Sequence, residues 1–158
     1  MIHINSVIDI DAVKEIISNK SQQLMLDLAD FELLDSTLEE GKVIVVGTGV
    51  AKGKNRVAQA ISQALQPLSA NGIDIQNSED LYLYVCILCS ENCQLHSEEL
   101  EPLHAFLLPC PYSVSVIWGY GYDNSLGEGV KVIFIVGGIS AENVSDTSGL
   151  QVYCLKTL

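Results

Sequence analysis

The sequence predicts an α+β fold: a two-layer sandwich in which helices pack on a mixed sheet of about four strands. Three observations carry this expectation. Apolar runs within 42–46 and 81–89 show no polar alternation and read as strands covered on both faces. A segment with helical periodicity, Asn55–Gln66, lies between them. Two further strand signals, Tyr112–Trp118 and Val130–Val136, follow each other without an intervening helix, which excludes a purely alternating parallel sheet. At 158 residues the chain reads as one domain, large enough to bury a core unaided.

Taken in order, Ile2–Ile10 alternates weakly and reads as a short strand or a frayed start. Asp9 or Asp11 caps a helix to about Ser18, with Val13, Ile16 and Ile17 on one face. A second helix, about Asp30–Glu40, aligns Phe31, Leu34 and Leu38 and ends at Gly41. The strand over 42–46 leads into a glycine turn, Gly47–Gly53. In the next helix Val57, Ala60, Ile61, Ala64, Leu65 and Leu68 form one stripe, and Pro67 is expected to stop it. After a polar loop and the strand over 81–89, a helix is expected from about His96 to Leu108, with Pro102 near its start. Tyr112–Trp118 and Val130–Val136 read as a hairpin with a long loop, Tyr120–Gly129. Gln151–Leu155 reads as an edge strand in a short tail, 140–158.

Composition narrows the partners. A net charge of -12 with only eight scattered Lys and Arg argues against nucleic acid and anionic membranes. The longest apolar run, 81–89, is far shorter than the ~20 residues of a membrane helix. No basic segment followed by an apolar one opens the chain, and five cysteines is an odd count, so the expectation is a cytoplasmic protein with reduced thiols. Apolar residues make up 48%, and the mean hydropathy is +0.29. That excess fits either a well-filled core or a face covered by a partner.

Three groups of residues invite chemistry. The run GTGVAKGK, between a strand and a helix, has the setting of a phosphate loop, where backbone N–H groups and the helix dipole hold an anion. Its spacing fails: Gly47 and Gly53 enclose five residues, Lys54 is followed by Asn55, and Lys52 stands where a third dinucleotide-binding glycine would be. A turn needing positive φ explains the glycines better. Cys86, Cys89, Cys93 and His96 are zinc-ligand types, but an offset of three on a strand sends Cys86 and Cys89 to opposite faces, so small buried hydrophobes are favoured. Asp27 and Asp30 stand three apart at a helix entrance. Spacing alone favours cap and first-turn carboxylates; the other reading is a pair that orients a water or a cation. His96 and His104 receive no role.

Three segments resemble the C-terminal domain of FtsZ, the bacterial tubulin-like division GTPase. LDLADFELL, Leu26–Leu34, is similar to that family's catalytic loop. Gly47–Leu68 is similar to its glycine turn and following helix, at Gly47, Thr48, Gly49, Ala51, Gly53, Arg56, Ala60, Ala64, Pro67 and Leu68. Ile117–Gly138 is similar to its last hairpin, at Gly119, Asp123, Leu126, Gly127, Val132 and Gly138. The resemblance spans about residues 12–139, and Met25 replaces an Asn that the family carries before the first aspartate.

The resemblance implies a domain that binds no cofactor by itself and meets GTP only through a partner subunit. Asp27 and Asp30 would be catalytic there, polarising the attacking water on a GTP held by an FtsZ-type GTPase domain; the implied partners are such a domain or the chain itself, as a homo-oligomer. Nothing in the chain resembles the family's GTP-binding signature. The alternative is a repurposed stand-alone module that binds a protein or a small ligand without a GTPase role.

Overall fold

The computed structural model describes residues 6–7, 41–78, 80–146 and 148–154. The helices expected over 11–18 and 30–40, with Asp27 and Asp30, lie outside these residues. The described chain forms a mixed sheet: β1 (Ser6–Val7), β2 (Lys42–Lys52), β3 (Tyr82–Cys89), β4 (Ser115–Tyr122), β5 (Gly129–Ser140) and β6 (Leu150–Cys154). The spatial order is β1-β6-β2-β5-β3-β4. β1 with β6 and β3 with β4 are parallel, and the remaining neighbours are antiparallel. Helices α1 (Arg56–Ala70) and α2 (Glu101–Leu107) complete an α+β fold.

The four expected strands form the body of the sheet, and β6 and β1 extend it. Both faces are buried, as the unbroken apolar runs require. Val43, Val45, Leu83, Val85, Ile87, Val132, Phe134 and Val136 join the core beneath α1, with Leu103 of α2. Alternate positions on the opposite face, Ile44, Val46, Tyr84, Cys86, Leu88, Ile133 and Ile135, are also buried. The α1 stripe is as expected: Val57, Ala60, Ile61, Ala64 and Leu68 are buried, and Leu65 packs half-buried against them.

Five expectations are corrected. Tyr112–Trp118 and Val130–Val136 are not a hairpin, because β3 lies between β4 and β5 and pairs with both. β5 is buried along most of its length and takes the centre between β2 and β3, whereas β4 carries exposed Trp118 and Tyr120 and takes an outer position. The glycine turn is not a turn from Gly47, since β2 continues to Lys52 and only Gly53 has positive φ, at 86°. Pro67 does not stop α1, which runs to Ala70. In the last turn a proline forfeits one backbone hydrogen bond, and burial of Leu68 holds the turn in place. β5 likewise continues past Gly137 and Gly138 through a register shift opposite Val43 and Val45, with Gly138 at φ 89° supplying the irregularity. The tail strand, expected at an edge, sits between β1 and β2.

Candidate functional site

Beyond the end of β2 the chain makes a tight reversal, with Gly53 at φ 86° and Asn55 at φ 61°, and enters α1 at Arg56. This reversal delivers a charged residue onto the buried stripe of the helix. Arg56 is only 5% exposed, and α1 carries no other charged residue. Its guanidinium meets Glu99 as a fork, Nε to Oε1 at 2.8 Å and Nη2 to Oε2 at 3.0 Å. Nη1 donates to Cys93 Sγ at 3.3 Å and to the Glu128 carbonyl at 3.0 Å. Nη2 also reaches the carbonyls of Cys93 and Gln94, at 3.2 and 3.1 Å.

A guanidinium has five N–H donors, and these six acceptors occupy them all. The cleft beside it, about 600 Å³, is lined by Gly53, Arg56, residues 92–96, Glu99 and Glu128. It is where a phosphate loop would have offered its anion site. Here the cation is already saturated by protein oxygens, and two carboxylate-bearing residues share the wall. The arrangement is a clamp that fastens the start of α1 to the loop before α2 and to the turn before β5. An anion would have to displace Glu99.

Hydrogen bonding from Arg56 holds the Glu99 carboxyl below the ordinary carboxylate range, against the opposing effect of burial. The His96 backbone N–H adds a bond to Glu99 Oε2 at 2.9 Å. The same pairing with Glu99 raises the Arg56 pKa. A carboxyl whose folded value is depressed contributes stability above its unfolded value, and that contribution is lost as pH falls through the folded value. Acid titration of stability should therefore steepen below the ordinary carboxylate value of about 4.3. Glu99→Gln should flatten that limb, and identical pH profiles for wild type and variant in urea unfolding would refute the assignment.

The second tempting group also resolves. Cys86 and Cys89 face opposite sides of β3: Cys89 joins the core under the helices, and burial pushes the Cys86 thiol up to about 12. Among the described residues no three His, Cys, Asp or Glu side chains converge as metal ligands. Cys93 serves as an acceptor for Arg56. His104 stacks edge-on against Trp118, with ring centroids 6.2 Å apart.

Residues shared with the resembled family take up structural duties. A Cβ on Gly47 or Gly49 would collide with the carbonyl oxygens of Ala64 or Ala60, so the bare glycines let α1 lie directly on β2. Asp123 caps the turn after β4, accepting from Ser125 N–H at 3.1 Å and Oγ at 2.6 Å. Gly127 follows at φ 58°. Arg56 escaped functional reading of the sequence, although a signal was there: a lone charge one turn before Ala60 on an apolar stripe.

No family model matches the chain. The chain is similar to the cell division protein FtsZ of Porphyromonas gingivalis (strain ATCC BAA-308 / W83), 27% identical over 128 residues. That match covers 81% of this chain and 27% of the relative's length. Among solved structures it is similar to an empty FtsZ dimer from M. jannaschii, with TM-score 0.58 and 20% identity, covering 92% of this chain and 40% of that one. A mutant FtsZ from M. jannaschii gives TM-score 0.57 at 21% identity, covering 82% and 37%. CetZ from Methanosaeta thermophila strain DSM 6194 gives 0.51 at 14%, covering 83% and 35%. The structural matches agree with the mixed sheet and helices described above, and all of them use a minor part of the longer protein.

Proposed function

We propose that this chain, which carries an FtsZ-like C-terminal domain, acts in cell division by presenting the loop Leu26–Leu34 to a tubulin-like GTPase domain. On this reading Asp27 and Asp30 complete a hydrolytic site whose GTP is held by the partner. The chain alone binds no GTP and turns none over. The observation that carries the reading is the match to FtsZ across 81% of the chain. The saturated Arg56 supports it from another side, because the most phosphate-like turn in the sequence ends on a cation with no donor to spare.

The chemistry asked of the aspartates is modest. Two carboxylates that orient and polarise a water beside a γ-phosphate supply positioning and charge at a site built by another subunit, the logic of residues provided in trans to an NTP. The GTP-holding partner is an FtsZ-type GTPase domain, with self-association as the other pairing, and the reading carries with it a cytoplasmic location at the division site. Among the described residues no helix is long and apolar enough to cross a membrane.

Mixed with GTP-loaded FtsZ from Porphyromonas gingivalis, wild type should change the rate of phosphate release. Asp27→Ala combined with Asp30→Ala should abolish that change while leaving co-sedimentation with the partner intact. Equal rates for wild type and double variant would sink the catalytic part of the proposal. Met25, standing where the family carries Asn, favours a second reading: a repurposed module that keeps the fold without the GTPase role. Under that reading, wild type neither co-sediments with the GTPase nor alters its rate.

A further inference from the structure

We propose that the outer edge of β4 is a docking site for an extended, basic peptide segment carrying aliphatic side chains, which adds to the sheet as a further strand. The inference does not involve Asp27 or Asp30, and it stands or falls separately from the GTPase reading.

β4 ends the sheet, with β3 as its one neighbour among the described residues. The two strands run parallel, in the register Tyr82↔Ser115 to Cys89↔Tyr122. Ser115 N–H donates to the Leu81 carbonyl and Asp123 N–H to the Cys89 carbonyl, each at 2.9 Å. Residues that bond across a parallel ladder alternate, so the odd-numbered residues of β4 turn their N–H and C=O toward β3. Val116, Trp118, Tyr120 and Tyr122 turn theirs outward, and no described strand pairs with them. Natural sheets guard such an edge with a charge, a proline or a bulge. Ser115–Tyr122 has no charged residue and no proline, and its register with β3 is unbroken.

Aromatic rings stand beside the free edge. Trp118 is 37% exposed and Tyr120 43%. Trp118 meets His104 of α2, and Tyr122 packs on the core beneath the helices, so the even-numbered side chains of β4 lie on the helix face. A groove of about 280 Å³ there is lined in part by Cys89, Leu95, Leu100, Tyr120 and Tyr122. An added strand would lay every second side chain over these rings and into the groove, where aliphatic groups fit.

Charge selects the occupant. Between Arg56 and Lys131 the sequence has no Lys or Arg, and this stretch contains β3, α2 and β4. Exposed carboxylates surround the edge. Asp80 stands at one end, its N–H donating to Ser113 Oγ at 3.2 Å just before β4. Glu91 stands at the other, accepting from Asn124 Nδ2 at 3.2 Å just after β4. Glu101 follows Leu100 of the groove, and Glu98, Asp123 and Glu128 add the same sign. Arg56 is consumed by Glu99, and the described lysines belong to β2, the turn after it and β5, with β3 between them and β4. A second copy would bring this acidity against itself, whereas basic residues flanking an aliphatic strand would meet carboxylates at both ends.

Titration of the full chain with the synthetic peptide Lys-Lys-Val-Thr-Val-Thr-Val-Lys-Lys tests the proposal. Trp118 is the chain's single tryptophan, so its emission reports the edge directly. Binding should shift that emission to the blue as the ring is covered, and should weaken as salt rises. Exchanging the peptide's lysines for glutamates should abolish it. N-methylation of the central residues should weaken it roughly tenfold or more through lost ladder bonds. On the protein, Glu101→Lys should weaken binding severalfold. Tyr120→Pro, which removes an outward N–H and spares the β3 ladder, should weaken it more than Tyr120→Val. Far-UV circular dichroism and Tm on each variant separate a lost edge from a lost fold. Unchanged Trp118 emission up to millimolar peptide, or equal binding of the parent and N-methylated peptides, would overturn the proposal. So would sedimentation velocity showing that the chain alone dimerises with Trp118 already covered, since a second copy would then occupy the edge.

Discussion

Gly49→Ala should destabilise the protein severely, although glycine to alanine in a strand interior ordinarily stabilises by restricting the unfolded chain. The added Cβ would overlap the Ala60 carbonyl oxygen and lie 2.8 Å from the Ala60 carbonyl carbon and 2.9 Å from Gln63 Cβ. The first two atoms are helix backbone, so no side chain can swing away. Relief requires moving α1 off β2, which opens the packing of Ala60, Ala64 and Leu68 beneath it. Overpacking of this kind costs about 3 kcal/mol, and for a chain of this size that lowers Tm by roughly 6–12 °C. Gly47→Ala meets the Ala64 carbonyl in the same way and should behave alike. Gly53→Ala provides the contrast: its Cβ would meet nothing within 4 Å, and only the positive φ resists it, for about 1 kcal/mol. A Tm for Gly49→Ala equal to wild type would refute the close helix–strand contact.

Arg56→Leu should cost almost as much for a different reason. It strips the donors from the Glu99 carboxylate and from the carbonyls of Cys93, Gln94 and Glu128. Removing one partner of a fully buried pair costs about 3–5 kcal/mol. The Glu99 side chain is 27% exposed and recovers some hydration, so about 2–4 kcal/mol is expected here. Arg56→Lys keeps a positive charge but loses the fork and the reach to several carbonyls, and should fall about midway. Urea unfolding with an unchanged m-value is the measurement. A loss under about 0.5 kcal/mol for Arg56→Leu, the range of ordinary surface changes, would show that the clamp is dispensable.

The two variants mark where reading the chain succeeded and where it stopped. The α1 stripe and the apolar run of β3 were legible because helical and strand periodicity are properties of neighbours in sequence. Gly47 and Gly49 were misread for the same reason. A glycine after an apolar run has two uses, turning or making room, and the second is visible only when the helix is in place above it. The supposed hairpin failed similarly. Short connections favour adjacent pairing, but β5 offers two apolar faces and β4 a mixed one, and burial sends the more apolar strand to the centre. Residues of the candidate site divide along the same line. Arg56 could be seen as a charge out of place, but its acceptors come from 37 to 72 positions away. Asp27 and Asp30 lie outside the described residues, and their role rests on the resemblance of Leu26–Leu34.

From the sequence by itself came the α+β class, the main strands, the buried stripe of α1, the failure of the phosphate-loop spacing and the likeness to FtsZ. Each depends on the order of residues along short stretches. Only the tertiary structure decided the strand order, the purpose of Gly47 and Gly49, the passage of α1 beyond Pro67 and the saturation of Arg56. Each of these is settled by groups distant in the chain competing for one space or one donor, and no local pattern records who wins.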